Sequence, residues 1–251
     1  MQITRWIRNR VRTLLACDYY HTIFTIPEEL NALWENNRRV FTGLLFKAAW
    51  QSLQQLLADP RHLGALPGAI ASFHSWSQTM WLHPHVHFLV TGGGLTPDGR
   101  WLAARNSFLL PSRVLSAKFR GKFLAFLRQA LLDNKLTPPP EVTQQACINL
   151  FNRLGRAKWH VMIMPPYTHG RGVLQYLGRY VRGGPVSNSR VTRMPDGNIR
   201  LRYKDETRTQ VRFMTLSPSE FIGRMLRHVP EPGFHHARVY GLFAPGKRRQ
   251  L

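Results

Sequence analysis

The sequence predicts an α+β fold, in which long helices and antiparallel strands share one chain. Two observations carry that expectation. The first is Leu82-His83-Pro84-His85-Val86-His87-Phe88-Leu89-Val90, whose strict alternation puts three histidines on one face and Leu82, Val86, Phe88 and Val90 on the other. The second is helical periodicity. Leu33, Trp34, Phe41, Leu44, Leu45, Ala48, Leu53 and Leu56 keep a helical repeat, and a second helix runs from Pro111-Ser112 to Leu132.

The remaining elements follow in order. Tyr20 to Ile26 is rich in β-branched and aromatic residues and predicts a strand. Pro27-Glu28-Glu29 opens the first helix with acidic residues at its positive end, and Asp59-Pro60 stops it. A strand around Ala69 to Trp76 turns into the histidine strand, most economically as an antiparallel hairpin. Gly92-Gly93-Gly94 follows that strand, and Thr96-Pro97-Asp98-Gly99 marks a turn. Pro138-Pro139-Pro140 is a stiff linker between two halves of one domain. Lys158 to Met164 predicts a strand ended by Pro165-Pro166, and Val173 to Arg182 a short helix. We divide the chain into a basic lead-in, residues 1–19, a main domain, 20–243, and a basic tail, 244–251.

Composition narrows the partners. Lys and Arg number 35 against 13 Asp and Glu, a net charge of +22, which excludes a generic enzyme of small neutral metabolites and points to a polyanion. Between Val142 and Pro195 there is no acidic residue, while Arg153, Arg156, Lys158, Arg171, Arg179, Arg182, Arg190 and Arg193 all fall there. That segment should face phosphates. Cys17 and Cys147 stand far apart and encode no disulfide framework or zinc ribbon. Neither a signal peptide nor a membrane-length apolar run is present, so a cytoplasmic, reduced protein is expected.

Two sites carry chemistry. A lone histidine on a strand usually satisfies a core, but three in register on one face fit a metal site. In the second, Tyr176 and Tyr180 lie one helical turn apart, between apolar Val173, Leu174, Leu177 and Val181 and polar Gln175, Arg179 and Arg182. Tyrosines often line such a border for packing alone. A nucleophile would sit there too, held by the core and open to a phosphate. Taken together, a metal held by imidazoles can polarise a phosphate, a tyrosine can attack it, and Arg179 or Arg182 can balance the developing charge. The product is a phosphotyrosine, which stores the bond energy for rejoining.

The pair His85-Val86-His87 and the helix Tyr176-Leu177-Gly178-Arg179-Tyr180 resemble the HUH endonuclease superfamily, and more closely the two-tyrosine rolling-circle transposases of the IS-ninety-one type, including common-region elements. His74-Ser75-Trp76-Ser77-Gln78, Gly92-Gly93-Gly94-Leu95, Ser187-Asn188-Ser189-Arg190 and Tyr240-Gly241-Leu242 extend the resemblance over roughly Phe24 to Phe243. The resemblance implies the HUH palm, an antiparallel sheet of about five strands with flanking helices. It implies nicking and rejoining of single-stranded DNA at transposon ends and targets with Mg²⁺ or Mn²⁺, in rolling-circle transposition of an insertion sequence. His85 and His87 would be metal ligands, with Gln78 the first candidate for a third, followed by His83 and His74. Tyr176 and Tyr180 would be the two nucleophiles, each forming a 5′-phosphotyrosine and freeing a 3′-hydroxyl. Arg171, Arg182, Arg190 and Lys158 are the expected DNA contacts, and a bacterial, nucleoid-associated location follows.

Two departures stand out. Relatives carry a cysteine-rich zinc module before the catalytic domain, of which this chain keeps only Cys17, so a short form or truncated copy is expected. After Tyr180 the chain reads Val181-Arg182-Gly183-Gly184-Pro185, where relatives often have Thr-His-Arg. Trp76, Trp81, Trp101 and Trp159 could stack bases or pack a core. His228, His235 and His236 are expected to be structural or superficial. A replication initiator or relaxase with the same chemistry, and a noncatalytic DNA-binding relative, are the alternative functions.

Overall fold

Alternation along the strands divides the central sheet into two unlike faces. In the computed structural model, which describes residues 14–167, 184–205 and 209–246, the strands are β1 (Tyr19–Thr25), β2 (Leu66–Trp76), β3 (Leu82–Leu95), β5 (Val161–Ile163) and β9 (Ala237–Gly241). They lie in the order β5-β1-β3-β2-β9, each pair antiparallel, and short β4 (Trp101–Ala103) pairs with the far end of β3. The α+β class and the antiparallel sheet of five main strands are as expected.

One face is closed by helices. α1 (Asn31–Asn36), α2 (Arg38–Leu57), α3 (Ser112–Leu132) and α4 (Gln144–Leu154) supply Leu45, Phe41, Phe119, Phe123 and Phe151 to a core with Phe24, Phe73, Val86, Phe88 and Val90 from the sheet. Phe24 meets Phe119 and Phe88 edge-on, at centroid distances of 4.9 and 5.6 Å. The Ser112–Leu132 helix has the expected bounds. The first predicted helix is broken at Asn37, whose non-helical φ of −139° and ψ of 35° end α1 while its amide donates to the Leu33 and Thr137 carbonyls and accepts from the Thr137 amide. Asn36 grips the Thr137 and Pro138 carbonyls as well. The proline-rich stretch is therefore fastened to the helical layer at its start. α4 is a helix that periodicity had not indicated, and β5 is shorter than Lys158 to Met164.

Two glycines of the sequence motifs are required by close backbone approach. A side chain on Gly94 would strike the Leu66 carbonyl across β2, and Gly241, at φ +57°, would strike that of Pro67.

A second unit follows the first in space. β6 (Val191–Arg193), β7 (Ile199–Lys204) and β8 (Val211–Leu216) form an antiparallel meander, and α5 (Pro218–Leu226) packs beside it. Ser217 caps α5, accepting from the Glu220 amide, with Pro218 in its first turn. Met80, at the tip of the β2–β3 hairpin and at φ +59°, plugs this small core against Leu201 and Leu216. Beside it the guanidinium of Arg224 donates to the Thr79 carbonyl, pairs with Glu220 and lies 4.1 Å from the Trp81 ring centre. The meander is thus fastened to the turn that joins the two long strands.

Candidate metal centre

The other face of the sheet is only partly apolar. Its lower half packs Tyr19, Ile70, Leu89 and Phe243; its upper half is histidine. His85 and His87 come from alternate positions of β3, and His74 lies directly across from His85 on β2. A register shift between His74 and Trp76 breaks the regular pairing at this point. Trp76 then stacks on His74 at 4.6 Å with an interplanar angle of 14°.

All three imidazoles are buried, and one ligand atom from each lies within 4.8 Å of the others. No Asp, Glu or Cys joins them among the described residues. The Nδ1–H of His85 donates to the His83 carbonyl at 2.6 Å, because a carbonyl can only accept. That fixes the tautomer and turns the Nε2 lone pair of His85 toward the cluster. Burial, with the neighbouring His74 and His83 rings, holds His85 well below the ordinary imidazole range, so the ring is neutral. Neutral rings are what a cation needs. The donor set fits a single ion held by three nitrogens, with the remaining coordination positions left to substrate or water.

His21 completes the arrangement from β1. It is buried, and its Nε2 lies 2.8 Å from Nδ1 of His87. For His87 to ligate through Nε2, its Nδ1–H must donate and His21 must accept. A ring held this way is the usual second support of a metal-bound imidazole. In the sequence His21 stands alone among the aromatic and β-branched residues of β1, on one strand face with Tyr19 and Ile23. A single histidine in a strand carries no pattern.

The structure separates the expected residues. His85 and His87 are together, and His74, the last of the candidates for third ligand, joins them. His83 is exposed at the start of β3, its ring 5.2 Å from that of His85, outside the close group. Gln78 faces away: its side-chain oxygen accepts from the Lys204 amide of β7 at 3.0 Å. Arg190 is likewise committed, donating to the carbonyls of Gln78 and Arg202. Lys158 is exposed ahead of β5. Tyr176, Tyr180, Arg171, Arg179 and Arg182 lie outside the described residues. The last described residue before them, Tyr167, pairs with Tyr19 and stacks its ring on His21 at 6.5 Å.

Of the other aromatic and histidine candidates, Trp159 is core, whereas Trp81 and Trp101 are exposed. His228 is structural: buried, it donates from Nε2 to the Met80 carbonyl and accepts at Nδ1 from the Ser75 hydroxyl, both at 3.0 Å. Cys17 and Cys147 are unbridged. None of the described helices is long and apolar enough to cross a membrane.

Fold and site together define an α+β protein with a buried three-imidazole cluster on the face of an antiparallel sheet opposite the helical layer. The chain belongs to the Y2_Tnp family, described as "Putative transposase", whose profile matches residues 68–250. It is 40% identical over 252 residues to "Putative transposase y4qJ" of Sinorhizobium fredii, covering 98% of this chain and 63% of the relative. It is 29% identical over 248 residues to the "Transposase for insertion sequence element IS801" of Pseudomonas savastanoi pv. phaseolicola, covering 96% and 58%. The chain thus spans about three fifths of the length of these relatives. Among solved structures it is similar to the conjugative relaxase TrwC in complex with oriT DNA, with a TM-score of 0.32 and 16% identity over 61% of this chain and 67% of that one. The origin-recognition/nickase domain of human bocavirus non-structural protein 1 gives a TM-score of 0.37 and 13% identity over 83% and 93%. Likeness as loose as these last two carries no argument.

Proposed function

We propose that this chain is the catalytic part of a rolling-circle transposase of the HUH type, cutting and rejoining single-stranded DNA at the ends of an insertion sequence. The observation that carries the reading is the buried cluster of His74, His85 and His87 in a chain of this family. Three buried imidazoles, each with a ligand atom within 4.8 Å of the others, form a donor set suited to one cation. The two curated relatives are named as transposases, which supports the substrate class.

In this reading His74, His85 and His87 hold a divalent ion, and His21 keeps His87 turned toward it. The bound ion supplies Lewis-acid polarisation of the scissile phosphate. An all-imidazole set suits Mn²⁺ better than Mg²⁺, which prefers oxygen ligands and its own water. Tyr176 or Tyr180 attacks through its phenolic oxygen, losing its proton. A phosphorus–oxygen bond to the tyrosine forms, the bond to the 3′ oxygen of the departing strand breaks, and a 3′-hydroxyl is released. The other tyrosine serves a second transfer. Arg179 balances the charge of the transition state, while Arg171, Arg182 and exposed Lys158 meet the phosphate backbone. Arg190, whose guanidinium is already committed to carbonyls, positions the meander.

Incubation of the purified chain with a single-stranded oligonucleotide bearing an element end and Mn²⁺ should give a denaturation-resistant adduct. Tyr176→Phe combined with Tyr180→Phe should abolish it. Adducts that persist in the double variant, or a wild-type chain that forms none on authentic ends, would overturn the reading.

A further inference from the structure

We propose that the outward face of the β6–β7–β8 meander is a track for single-stranded DNA, held in fixed register with the histidine cluster. The inference rests on the proposed function for its choice of DNA, and on the meander alone for its location. Leu201, with Met214 and Leu216, points into the small core, so the alternate residues of β7, Arg200, Arg202 and Lys204, point outward and are exposed. Across from them in register stand Thr215, Phe213 and Val211. Phe213 is 58% exposed and Val211 53%.

This face is more than a solvated surface. Successive outward cations on one strand stand about 6.6–6.8 Å apart, on the scale of neighbouring phosphates in an extended single strand. The described carboxylates of the unit are spent elsewhere. Asp196 accepts from Asn198 and Asp205 from the Thr209 and Gln210 amides, each closing a turn, and Glu220 pairs with Arg224. The cations of β7 therefore face outward with no described acid among them. Phe213 stands beside this row, opposite Arg202 on β8, with the Arg200 guanidinium 5.6 Å from its ring centre. An exposed ring bordered by cations is a stacking platform for an unpaired base, and a duplex hides the base faces it would need.

Geometry ties the face to the chemistry. The amide of Lys204 donates to the Gln78 side chain, Arg190 to the Gln78 carbonyl, and Arg224 to that of Thr79. Gln78 and Thr79 form the turn between the strand that carries His74 and the strand that carries His85 and His87. A strand of DNA lying on β7 is thereby placed at a fixed distance from those rings.

Binding measured by fluorescence anisotropy in EDTA, which keeps cleavage out of the reading, tests this with a labelled oligothymidylate and a matched duplex. Combined Arg200→Gln, Arg202→Gln and Lys204→Gln should lower the slope of log affinity against log salt by about 2, since each phosphate neutralised on a single strand adds about 0.7 to it. Phe213→Ala should weaken single-strand binding roughly tenfold and duplex binding little, and Phe213→Trp should restore it. The control, Arg39→Gln with Lys47→Gln and Arg113→Gln on the helical layer, removes equal charge from exposed positions and should change the slope less. All these side chains are exposed, so thermal melts should match wild type. A wild-type slope in the β7 variant, an equal drop in the control, or no effect of Phe213→Ala would overturn the track. Loss of adducts is scored separately, so failure of the tyrosine chemistry leaves this result standing, and the reverse.

Discussion

The two sheets of this protein use the same alternation for opposite ends. In the central sheet the polar members of the alternation, His21, His74, His85 and His87, are buried, burial holds His85 uncharged, and hydrogen bonds orient His21, His85 and His87. In the meander they are Arg200, Arg202 and Lys204, charged and exposed. The contrast follows from dielectric. A metal site gains from exclusion of water, which fixes tautomers and favours the uncharged ring, whereas contact with a polyanion requires charge kept at the surface. Between them lies the hairpin tip, where Met80, Arg224 and His228 join the sheet that carries the histidines to the meander that carries the exposed cations.

The comparison breaks most sharply at the ligands. His74→Ala or His87→Ala should lower Mn²⁺ affinity, measured by titration calorimetry, by more than about a hundredfold, beyond the loss expected from an outer support. Gln78→Ala and His83→Ala should leave it nearly unchanged. A large loss in either of those two would return the third ligand to the sequence-based expectation. Next in size is the joint between the sheets. Met80→Ala should cost about 2–5 kcal/mol in denaturant unfolding, through the cavity left among Leu201 and Leu216. A loss confined to the meander would appear as an early, separate transition.

His21 sharpens the buried side of the contrast. His21→Ala should weaken Mn²⁺ binding about 10–100-fold, and His21→Gln less, because an amide oxygen can still accept from His87. Equal losses would make the role of His21 one of packing. The smallest effect concerns His228 and acid. Burial, with Arg38 and Arg227 nearby, pushes its imidazole below the usual 6.5. The unfolded chain therefore binds the proton at a higher pH than the native one. Its stabilising share is complete above about pH 6.5 and is lost as pH falls through the lower native value. His228→Asn should be less stable than wild type at neutral pH, and denaturant melts should show that gap narrowing toward pH 5.

Much of the architecture was legible because local signals agreed with it. Pro111-Ser112 and an uninterrupted helical repeat set the Ser112–Leu132 helix at both ends, and β-branched and aromatic density located β1 within one residue. His85 and His87 were legible because strand alternation alone puts them on one face. The meander was not, since strands as short as Val191–Arg193 and as cationic as Ile199–Lys204 lack an apolar alternation strong enough to see. Asn36 and Asn37 grip the chain about a hundred residues downstream, so the proline segment read as a linker is fastened by contacts that no local pattern announces.

By itself the sequence determined the α+β class, the strand that puts His85 and His87 on one face, the strong positive charge of +22, and the tyrosines whose role remains a proposal. Those are properties of composition and of periods spanning a few residues. Tertiary structure decided which histidine stands beside His85 and His87, that His21 supports the cluster, and that Gln78 and Arg190 serve the joint instead. Each depends on strand register and on a register shift beside His74, which bring together side chains distant in sequence. Register is set by the packing of whole faces, and a one-residue slip would turn every imidazole to the other side.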